Sequence, residues 1–552
     1  MSNEKLKQEL LQEVRRYVKE DEIPFIPFQG YEDYLSTGER VSFETYYFQR
    51  RRQLVVLGLG YYLENKKSTK KLLEQLLWEI CNEYTWCLPA HLPIEKGQYA
   101  QNVELTIDLF AAETGQALSE LVELIGDDLS HFLKERINKE IDRRIFRPFE
   151  EKSWEWEEKE NNWSAVIGGC IGMTALSVIK NPVRQKQIIN RLDKSMESYL
   201  ASYGDDGACV EGVGYWNYGF GYFIYYAKKL ADVLGDNRYL QLPKVSSIAK
   251  FPYYSMINPE KFLPFSDYSQ SSLASGLVNF CAEVLHVPVP QMPTSVSSLD
   301  FDHCYRFAHI YRNLIWHNDE IVQPNFVPIH HYFEQAQWYI VKKPQEFFFA
   351  ARAGHNQESH NHIDVGHFVV GTTENLFLTD IGAGEYTKDY FDDGKRYQYF
   401  PPSSNSHSIP VINQEKQQTI GTNAQVIEVT ESSFGLELAN FYPKAFITSF
   451  FRHFSLDQNQ LLIEDRFAFQ KDENQVQEKF ITCIEPIISG FNVMLNSKSS
   501  NCRMTFSTDK IASEKVSYYN HFGEIANAYV ITADYIFSES GDAKVQIEII
   551  NK

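Results

Sequence analysis

The sequence predicts a multidomain α + β chain: an N-terminal α/α toroid (an incomplete barrel of helices) followed by a C-terminal antiparallel β-sandwich. Three observations predict it. The 552 residues exceed the size at which a single hydrophobic core keeps growing, so two or more domains are expected. Apolar residues recur three and four apart up to about residue 310, the period of a helix with one buried face. From Trp338 onward they come instead in short β-rich runs separated by turn residues.

The helical elements follow one another with short Pro/Gly/Asn loops between them, such as CLPAHLPIEKGQ at 87–98. TKKLLEQLLWEICNEYTW (69–86), VELTIDLFAAETGQALSELVELI (103–125) and DDLSHFLKERINKEIDRRIF (127–146) each carry the helical period. NNWSAVIGGCIGMTALSVI (161–179), RQKQIINRLDKSMESYLASYG (184–204) and GFGYFIYYAKKLADVLG (219–235) continue the series, as a toroid or solenoid of helices requires. The strands expected after them include WYIVKK (338–343), EFFFAARAG (346–354), HFVVGTT (367–373), LFLTDIG (376–382), QLLIEDRFAF (460–469) and YVITADYIF (529–537). The change of period falls in the stretch 311–337. It divides the chain into a toroid domain, 1–320, and a sandwich domain, 321–552.

A net charge of −20 argues against nucleic acid, which needs a basic face to meet its phosphates. It leaves room for a small anionic ligand held by a local cluster of cations. Aromatic residues make up 14% of the chain; they fill a large core first and supply stacking faces for sugars second. No apolar signal core and no long uncharged apolar run is present, which predicts a cytoplasmic protein with no membrane partner. The eight cysteines show no CxxC pair and read as free, mostly buried thiols.

Three clusters carry chemistry. SHNHIDVGHF (359–368) places three of the chain's 15 histidines in ten residues. Read as a strand, it puts His360 and His362 on one face, with Asp364 joining them. Asp380, closing LFLTD before a Gly-containing turn, and His407, opening SHSIPVI, are the candidates to complete the set. Two histidines and a carboxylate suit zinc, ahead of manganese or calcium, with one position open. In the second cluster, Glu211 precedes Tyr215, Trp216 and Tyr218 among nearby glycines, where a backbone can approach a ligand and rings can stack on it; an aromatic interface between helices explains the same residues. In the third, Asn161 and Asn162 open a helix. One asparagine suffices as its cap, which leaves the other for a ligand.

Taken together, NNW (161–163), EGVGYWNY (211–218), AGHNQESHNHIDVGHF (353–368), TDIGAGEY (379–386), RYQYF (396–400) and SNSH (404–407) resemble the heparinase II/III-like superfamily of polysaccharide lyases. The resemblance covers most of the chain and implies roles residue by residue. Tyr215 matches a catalytic tyrosine, and His360 a catalytic histidine beside a metal site but outside it. His362, Asp380 and His407 match three zinc ligands. Asn162 matches the position that helps neutralise a substrate carboxylate, and Tyr397 a tyrosine lining the cleft. Glu211, Trp163, Trp216, Tyr218 and Arg352 are expected to contact substrate. The chain departs from several relatives in carrying Trp163 where they have a histidine after the asparagine, which removes a second histidine base.

The resemblance implies a carbon–oxygen lyase that cleaves 4-linked uronic-acid glycans, such as hyaluronan, chondroitin or heparan sulfate, by β-elimination. The partner is then an anionic uronate-containing oligosaccharide or polysaccharide, and the reading allows a homodimer. The C5 proton of a uronate is acidic only when its carboxylate is neutralised. Asn162, His360 and Arg352 are the groups expected to do so. A base then removes the proton and an acid protonates the leaving oxygen. Alginate-type oligouronates are the alternative substrate. A cupin-like metal oxygenase would explain the HxH pattern but not EGVGYWNY, and a non-catalytic sugar-binding protein would explain the aromatic residues but not the His/Asp set.

Overall fold

In a computed structural model, residues 3–270, 272–317, 328–343, 347–358, 360–387, 389–392 and 394–552 are described. The chain forms two compact units. The first holds Met1–Tyr203, Gly214–Ala249 and Ser271–Val322; the second holds Gly204–Val213, Lys250–Gln270 and Gln323–Lys552. The domain boundary expected at 320/321 lies in 318–327, outside the described residues. Two segments inside the helical stretch, 204–213 and 250–270, group with the β-rich unit.

The helical unit is built on α1 (Glu4–Glu20), α2 (Val41–Glu64), α3 (Lys67–Cys81), α4 (Leu109–Ile125), α5 (His131–Ile141), α6 (Asn162–Val178), α7 (Pro182–Ala201), α8 (Gly221–Leu234) and α9 (Phe307–Ile315). Sequential helices pack as neighbours, α1 on α2 and α2 on α3, while α6 is surrounded by α4, α7 and α8. A helix that is apolar on every side belongs in a core, and α6 is buried along nearly its whole length. Its small residues admit its neighbours: a Cβ at Gly172 would lie 2.3 Å from the Tyr226 ring of α8. Caps fix the helix starts. The Asp108 carboxylate accepts from the Ala111 N–H at 2.7 Å, and the Asn181 side chain accepts from the Val183 N–H at 2.9 Å, just where Pro182 opens α7. No described helix is long and apolar enough to cross a membrane.

Among the described residues the second unit contains a two-stranded ribbon, Met256–Asn258 with Lys261–Phe262, and three larger sheets. β1 (Ile329–Phe333), β2 (Trp338–Lys342), β3 (Phe347–Arg352), β4 (Phe368–Thr372) and β5 (Leu376–Leu378) form an antiparallel meander. The remaining strands are β6 (Val411–Ile412), β7 (Gln425–Val429), β8 (Ser433–Glu437), β9 (Ile447–Asp457), β10 (Gln460–Phe469), β11 (Asn474–Thr482), β12 (Pro486–Ser489), β13 (Asn492–Asn496), β14 (Ser500–Phe506), β15 (Ile511–Tyr519), β16 (Ile525–Phe537) and β17 (Ser540–Asn551). They make an eight-stranded sheet in the order β7-β8-β9-β10-β17-β14-β13-β12 and a four-stranded sheet in the order β6-β11-β16-β15. Burial alternates along β9, β10 and β14, the period-2 mark of a sheet covered on one face. Phenylalanine fills the core between sheets: Phe454 of β9 lies 5.3 Å from both Phe349 of β3 and Phe368 of β4, centroid to centroid. The core-filling use of the aromatic residues is thus seen directly. No disulfide joins any of the eight cysteines, and seven of them are buried.

One local expectation is overturned. The described residues 360–367 form no strand, and strand structure begins only at Phe368. Strands β3 and β4 pair up to Ala351 and Phe368, and two backbone bonds between Arg352 and the 366–367 pair close the ladder at 3.0 and 2.9 Å. The described residues between form a long loop on that hairpin stem. Gly354 and Gly366 take positive φ at its two ends, and His360 does so inside it (φ 55°). A side chain holds this loop where a ladder cannot. Asn356 is buried, donates to Gln417 Oε1 at 2.8 Å and accepts from the Asp364 N–H at 3.2 Å. Long irregular loops inside compact domains are characteristically functional.

Candidate active site and metal centre

In the helical unit, Asn161 does the capping: its Oδ1 accepts from the Trp163 N–H at 3.0 Å. Asn162 is then the first residue of α6 and is buried. Val213–Tyr215 is one helical turn that runs into a π-turn, Trp216–Phe220, ahead of α8. Such turns insert an extra residue into a helix and recur at functional sites. The π-turn comes close to Asn162, since a Cβ at Gly219 would lie 3.1 Å from the Asn162 Cβ. Asn162 and the segment carrying Tyr215 are therefore brought together, and Tyr215 is half-buried.

Two expected sugar contacts in this unit have other work. Trp216 is fully buried, its indole N–H donating to the Ile248 carbonyl at 2.8 Å and its ring packed on Phe220. It is a core residue and presents no stacking face. The Tyr218 hydroxyl donates to the buried Glu113 carboxylate, and the Arg306 guanidinium lies 4.0 Å above its ring. Burial, reinforced by the Glu113 charge, pushes the Tyr218 hydroxyl well above the ordinary tyrosine range. Trp163 remains half-buried on the helix surface, beside His91 at 5.2 Å.

The β-rich unit gathers the histidines. His362 is fully buried; its Nε2 lies 3.0 Å from Asp267 Oδ1, and its Nδ1 lies 3.2 Å from His407 Nε2. His407 follows the short turn Ser404–Ser406, and its Nδ1 lies 2.8 Å from the Ser403 carbonyl. A carbonyl only accepts, so that nitrogen is the donor and Nε2 carries the lone pair. The same logic at the Asp267 carboxylate leaves the lone pair of His362 on Nδ1. With both rings neutral, two lone pairs face each other across 3.2 Å.

Asp380 ends the strand run at a turn, where its Oδ1 accepts from the Gly382 N–H at 2.8 Å. Its Oδ2 is buried without a hydrogen bond, 3.5 Å from His407 Nε2 and 3.7 Å from His367 Nε2. Burial alone would raise this carboxyl, but the imidazoles around it, His407 foremost, hold it at about 2. His367 accepts from the Ser408 N–H through Nδ1 at 2.8 Å, so it turns an Nε2 donor toward Asp380. Asp364 completes the group. One ligand atom from each of His362, Asp364, Asp380 and His407 lies within 4.8 Å of the others.

This set fits a divalent cation. The outward nitrogens of both histidines are tied to acceptors, the arrangement that orients metal-ligating imidazoles. The inward nitrogens converge, and a buried carboxylate oxygen with no partner faces them. Nitrogen and carboxylate donors together suit zinc. His362, Asp380 and His407 could hold such an ion.

His360 is turned away from that cluster. Its Nδ1 lies 2.9 Å from Asp267 Oδ2, and its side chain keeps 20% of its surface exposed. Burial opposes charge on this ring, but Asp267 and Glu211 raise its pKa above the ordinary histidine value. Glu211, expected as a substrate contact, is buried. Tyr397 is half-buried, and its hydroxyl donates to Asn361 Oδ1 at 2.8 Å.

Arg352 corrects the sequence expectation. It is fully buried, with Nη1 3.0 Å from Asp364 Oδ2 and Nη2 2.9 Å from Glu358 Oε2. Its guanidinium neutralises two internal carboxylates and cannot meet a substrate. Burial, with the nearby Asp364 charge, pushes the Glu358 carboxyl up to about 7 despite that pairing.

Asp267, Tyr390, Arg396 and His367 were missed by sequence reasoning. Asp267 lies in PFSDYSQ, almost a hundred positions before the histidines it touches, and no spacing rule points to it. Burial would raise its pKa, but the donated bonds from His360 and His362, with Arg396, hold it well below the ordinary carboxylate range. Arg396 stood inside the quoted RYQYF and His367 inside the histidine cluster. Burial and hydrogen bonding, invisible in sequence, give them their roles.

No protein-family model and no curated protein sequence matches the chain. Solved structures do. Heparinase III aligns with a TM-score of 0.64 and 12% identity, covering 91% of this chain and 77% of that one. The heparan sulfate lyase HepC from Pedobacter heparinus aligns with a TM-score of 0.62 and 12% identity, covering 99% of this chain and 88% of that one. The chondroitin AC lyase of Streptomyces coelicolor A3, solved in complex with chondroitin sulphate, aligns with a TM-score of 0.54 and 9% identity, covering 99% and 79%. A helical N-terminal region followed by antiparallel sheets is common to all of them, and the chain has the fold of these glycosaminoglycan lyases.

Proposed function

We propose that the chain is a carbon–oxygen lyase that cleaves 4-linked uronic-acid glycans by β-elimination, with glycosaminoglycans such as hyaluronan, chondroitin or heparan sulfate as its substrates. The observation that carries this reading is the contrast between two histidines two residues apart. His362 is sealed among Asp364, Asp380 and His407, whereas His360 is anchored through Nδ1 and keeps exposed surface. The fold shared with heparan sulfate and chondroitin lyases supports it.

On this reading Asn162 donates to the uronate carboxylate, joined by His360 Nε2–H as an imidazolium where His360 is not the base, and this makes the C5 proton removable. Tyr215 is the proton-transfer residue. Where the C5 proton and the leaving oxygen share one face of the ring, its oxygen takes the proton and returns it to the leaving group. Where they lie on opposite faces, His360 Nε2 takes the proton and Tyr215 protonates the departing oxygen. The C5–H electron pair becomes the C4=C5 double bond, the C4–O bond breaks, and its electrons leave with the oxygen that is protonated. No water is consumed. A zinc ion held by His362, Asp380 and His407 would supply fixed positive charge that ties the 353–366, 380–382 and 403–407 loops together. Arg352 has no part in the reaction.

The test is incubation with hyaluronan, chondroitin, dermatan, heparan sulfate and alginate, reading the ultraviolet absorbance of a C4=C5 bond conjugated to the carboxylate. The reading expects unsaturated product from at least one glycosaminoglycan. Product carrying the added water of hydrolysis, or no cleavage of any of the five, refutes it.

A further inference from the structure

Asp267 does something no single-residue role accounts for. Its Oδ2 lies 2.9 Å from His360 Nδ1 and its Oδ1 lies 3.0 Å from His362 Nε2, so one buried carboxylate touches both histidines through opposite ring nitrogens. Two more donors complete its surroundings. The Tyr390 hydroxyl donates to Oδ1 at 2.8 Å, and Arg396 Nη2 donates to Oδ2 at 3.0 Å. Arg396 is itself fixed, donating to the Asn361 carbonyl at 3.1 Å and to the Tyr390 carbonyl at 3.3 Å. Each carboxylate oxygen therefore has two donors, and a carboxylate so surrounded only accepts.

We propose that Asp267 is a positioning residue shared by the two histidines: it fixes the tautomer of His360 and of His362 at once. His360 must carry its proton on Nδ1 and present Nε2 outward. His362 must carry its proton on Nε2 and present Nδ1 to the cation cluster. The backbone supports the same conclusion. His360 holds a left-handed conformation, φ 55°, which is uncommon for a residue with a Cβ. The bond to Asp267 is one of the contacts that hold the ring in that position.

The role assigned at His360 rests on the lyase reading, and the role assigned at His362 does not. The test therefore has two arms. In Asp267→Asn the side chain keeps one acceptor oxygen and gains a donor, so it satisfies one imidazole at most. The affinity of the metal-free protein for zinc, measured by competition with a chromophoric chelator, is expected to fall about 10–100-fold, the usual cost of losing a partner behind a metal ligand. At saturating zinc, kcat is expected to fall while KM stays near its original value. Unchanged zinc affinity together with unchanged kcat, alongside a lower melting temperature, would reduce Asp267 to a structural partner of Arg396 and overturn the proposal. Should the variant fail to fold, ¹⁵N-histidine NMR of the unmutated protein decides. Nδ1–H at His360 with Nε2–H at His362 supports the proposal, and either ring in the opposite tautomer overturns it. If the unmutated protein makes no unsaturated product, the lyase reading falls while the zinc and NMR arms still judge Asp267.

Discussion

His362 Nδ1 and His407 Nε2 face each other at 3.2 Å, each ring held from behind by an acceptor. With both rings neutral, neither nitrogen carries a proton, and the pair then repels unless something positive lies against both. A divalent cation relieves the repulsion and also meets Asp380 Oδ2, which has no hydrogen bond. Purified protein is expected to hold about one zinc per chain, since three protein ligands make one site. His407→Ala should lose both the metal and thermal stability, because metal bound only by the folded state adds to folding free energy. His360→Ala should keep the metal. Elemental analysis of the two variants checks this, and loss of zinc in His360→Ala with retention in His407→Ala would reverse the assignment.

A second prediction concerns what lies under the cluster. Arg452 of β9 is buried, donating from Nη1 to the Gly366 carbonyl at 3.0 Å and the Ser408 carbonyl at 2.7 Å. These carbonyls directly precede and follow in sequence the cluster residues His367 and His407, respectively. Its other nitrogens meet Asp465 and Glu478. Arg452→Met should leave both carboxylates without their cation and cost roughly 3–5 kcal/mol of stability, the penalty for breaking a buried ion pair from one side. Urea unfolding measures it. A loss near zero would mean that water or rearrangement replaces the guanidinium.

How much of this was legible depends on whether the signal was local. The period of 161–179 marked α6 correctly because a helix buried on all sides still needs its apolar run and its cap at Asn161. The shift of period at Trp338 marked the strands for the same reason. His362, Asp380 and His407 could be singled out by residue type, and they do converge. The path of the backbone between them could not be read. An HxH pattern looks like a strand, yet two positive-φ glycines and the buried Asn356 make it a loop. Long-range partners were equally hidden. Arg352 was expected to meet a substrate carboxylate, and only the fold reveals the two internal carboxylates it pairs with instead. Trp216 was expected to stack on sugar, and the π-turn rotates it into the core instead. Asp267 carried no signal at all.

The pH dependence of stability should contain a contribution from Lys479. Burial, with a smaller effect of Lys416, lowers its pKa from 10.5 to about 7, and its ammonium donates to the Ser404 carbonyl in the turn before His407. The sign follows from proton counting. Between about 7 and 10.5 the unfolded chain holds a proton here that the folded chain does not, so this group makes the folded state more stable as pH rises across that window. Lys479→Met should flatten that rise. Urea midpoints of both proteins at several pH values from neutral to alkaline measure the difference, and parallel profiles would show that Lys479 titrates normally.

The most direct test of the central claim is the initial rate of unsaturated-product formation by the unmutated protein, Tyr215→Phe and Tyr218→Phe on the best glycosaminoglycan substrate. The account predicts ultraviolet-absorbing product from the unmutated protein and a fall of at least about 100-fold in Tyr215→Phe, the low end of what a positioned acid–base group contributes. It predicts a smaller fall in Tyr218→Phe, whose hydroxyl is committed to Glu113. Tyr215→Phe retaining most of the activity, or cleavage without a C4=C5 bond, would contradict it.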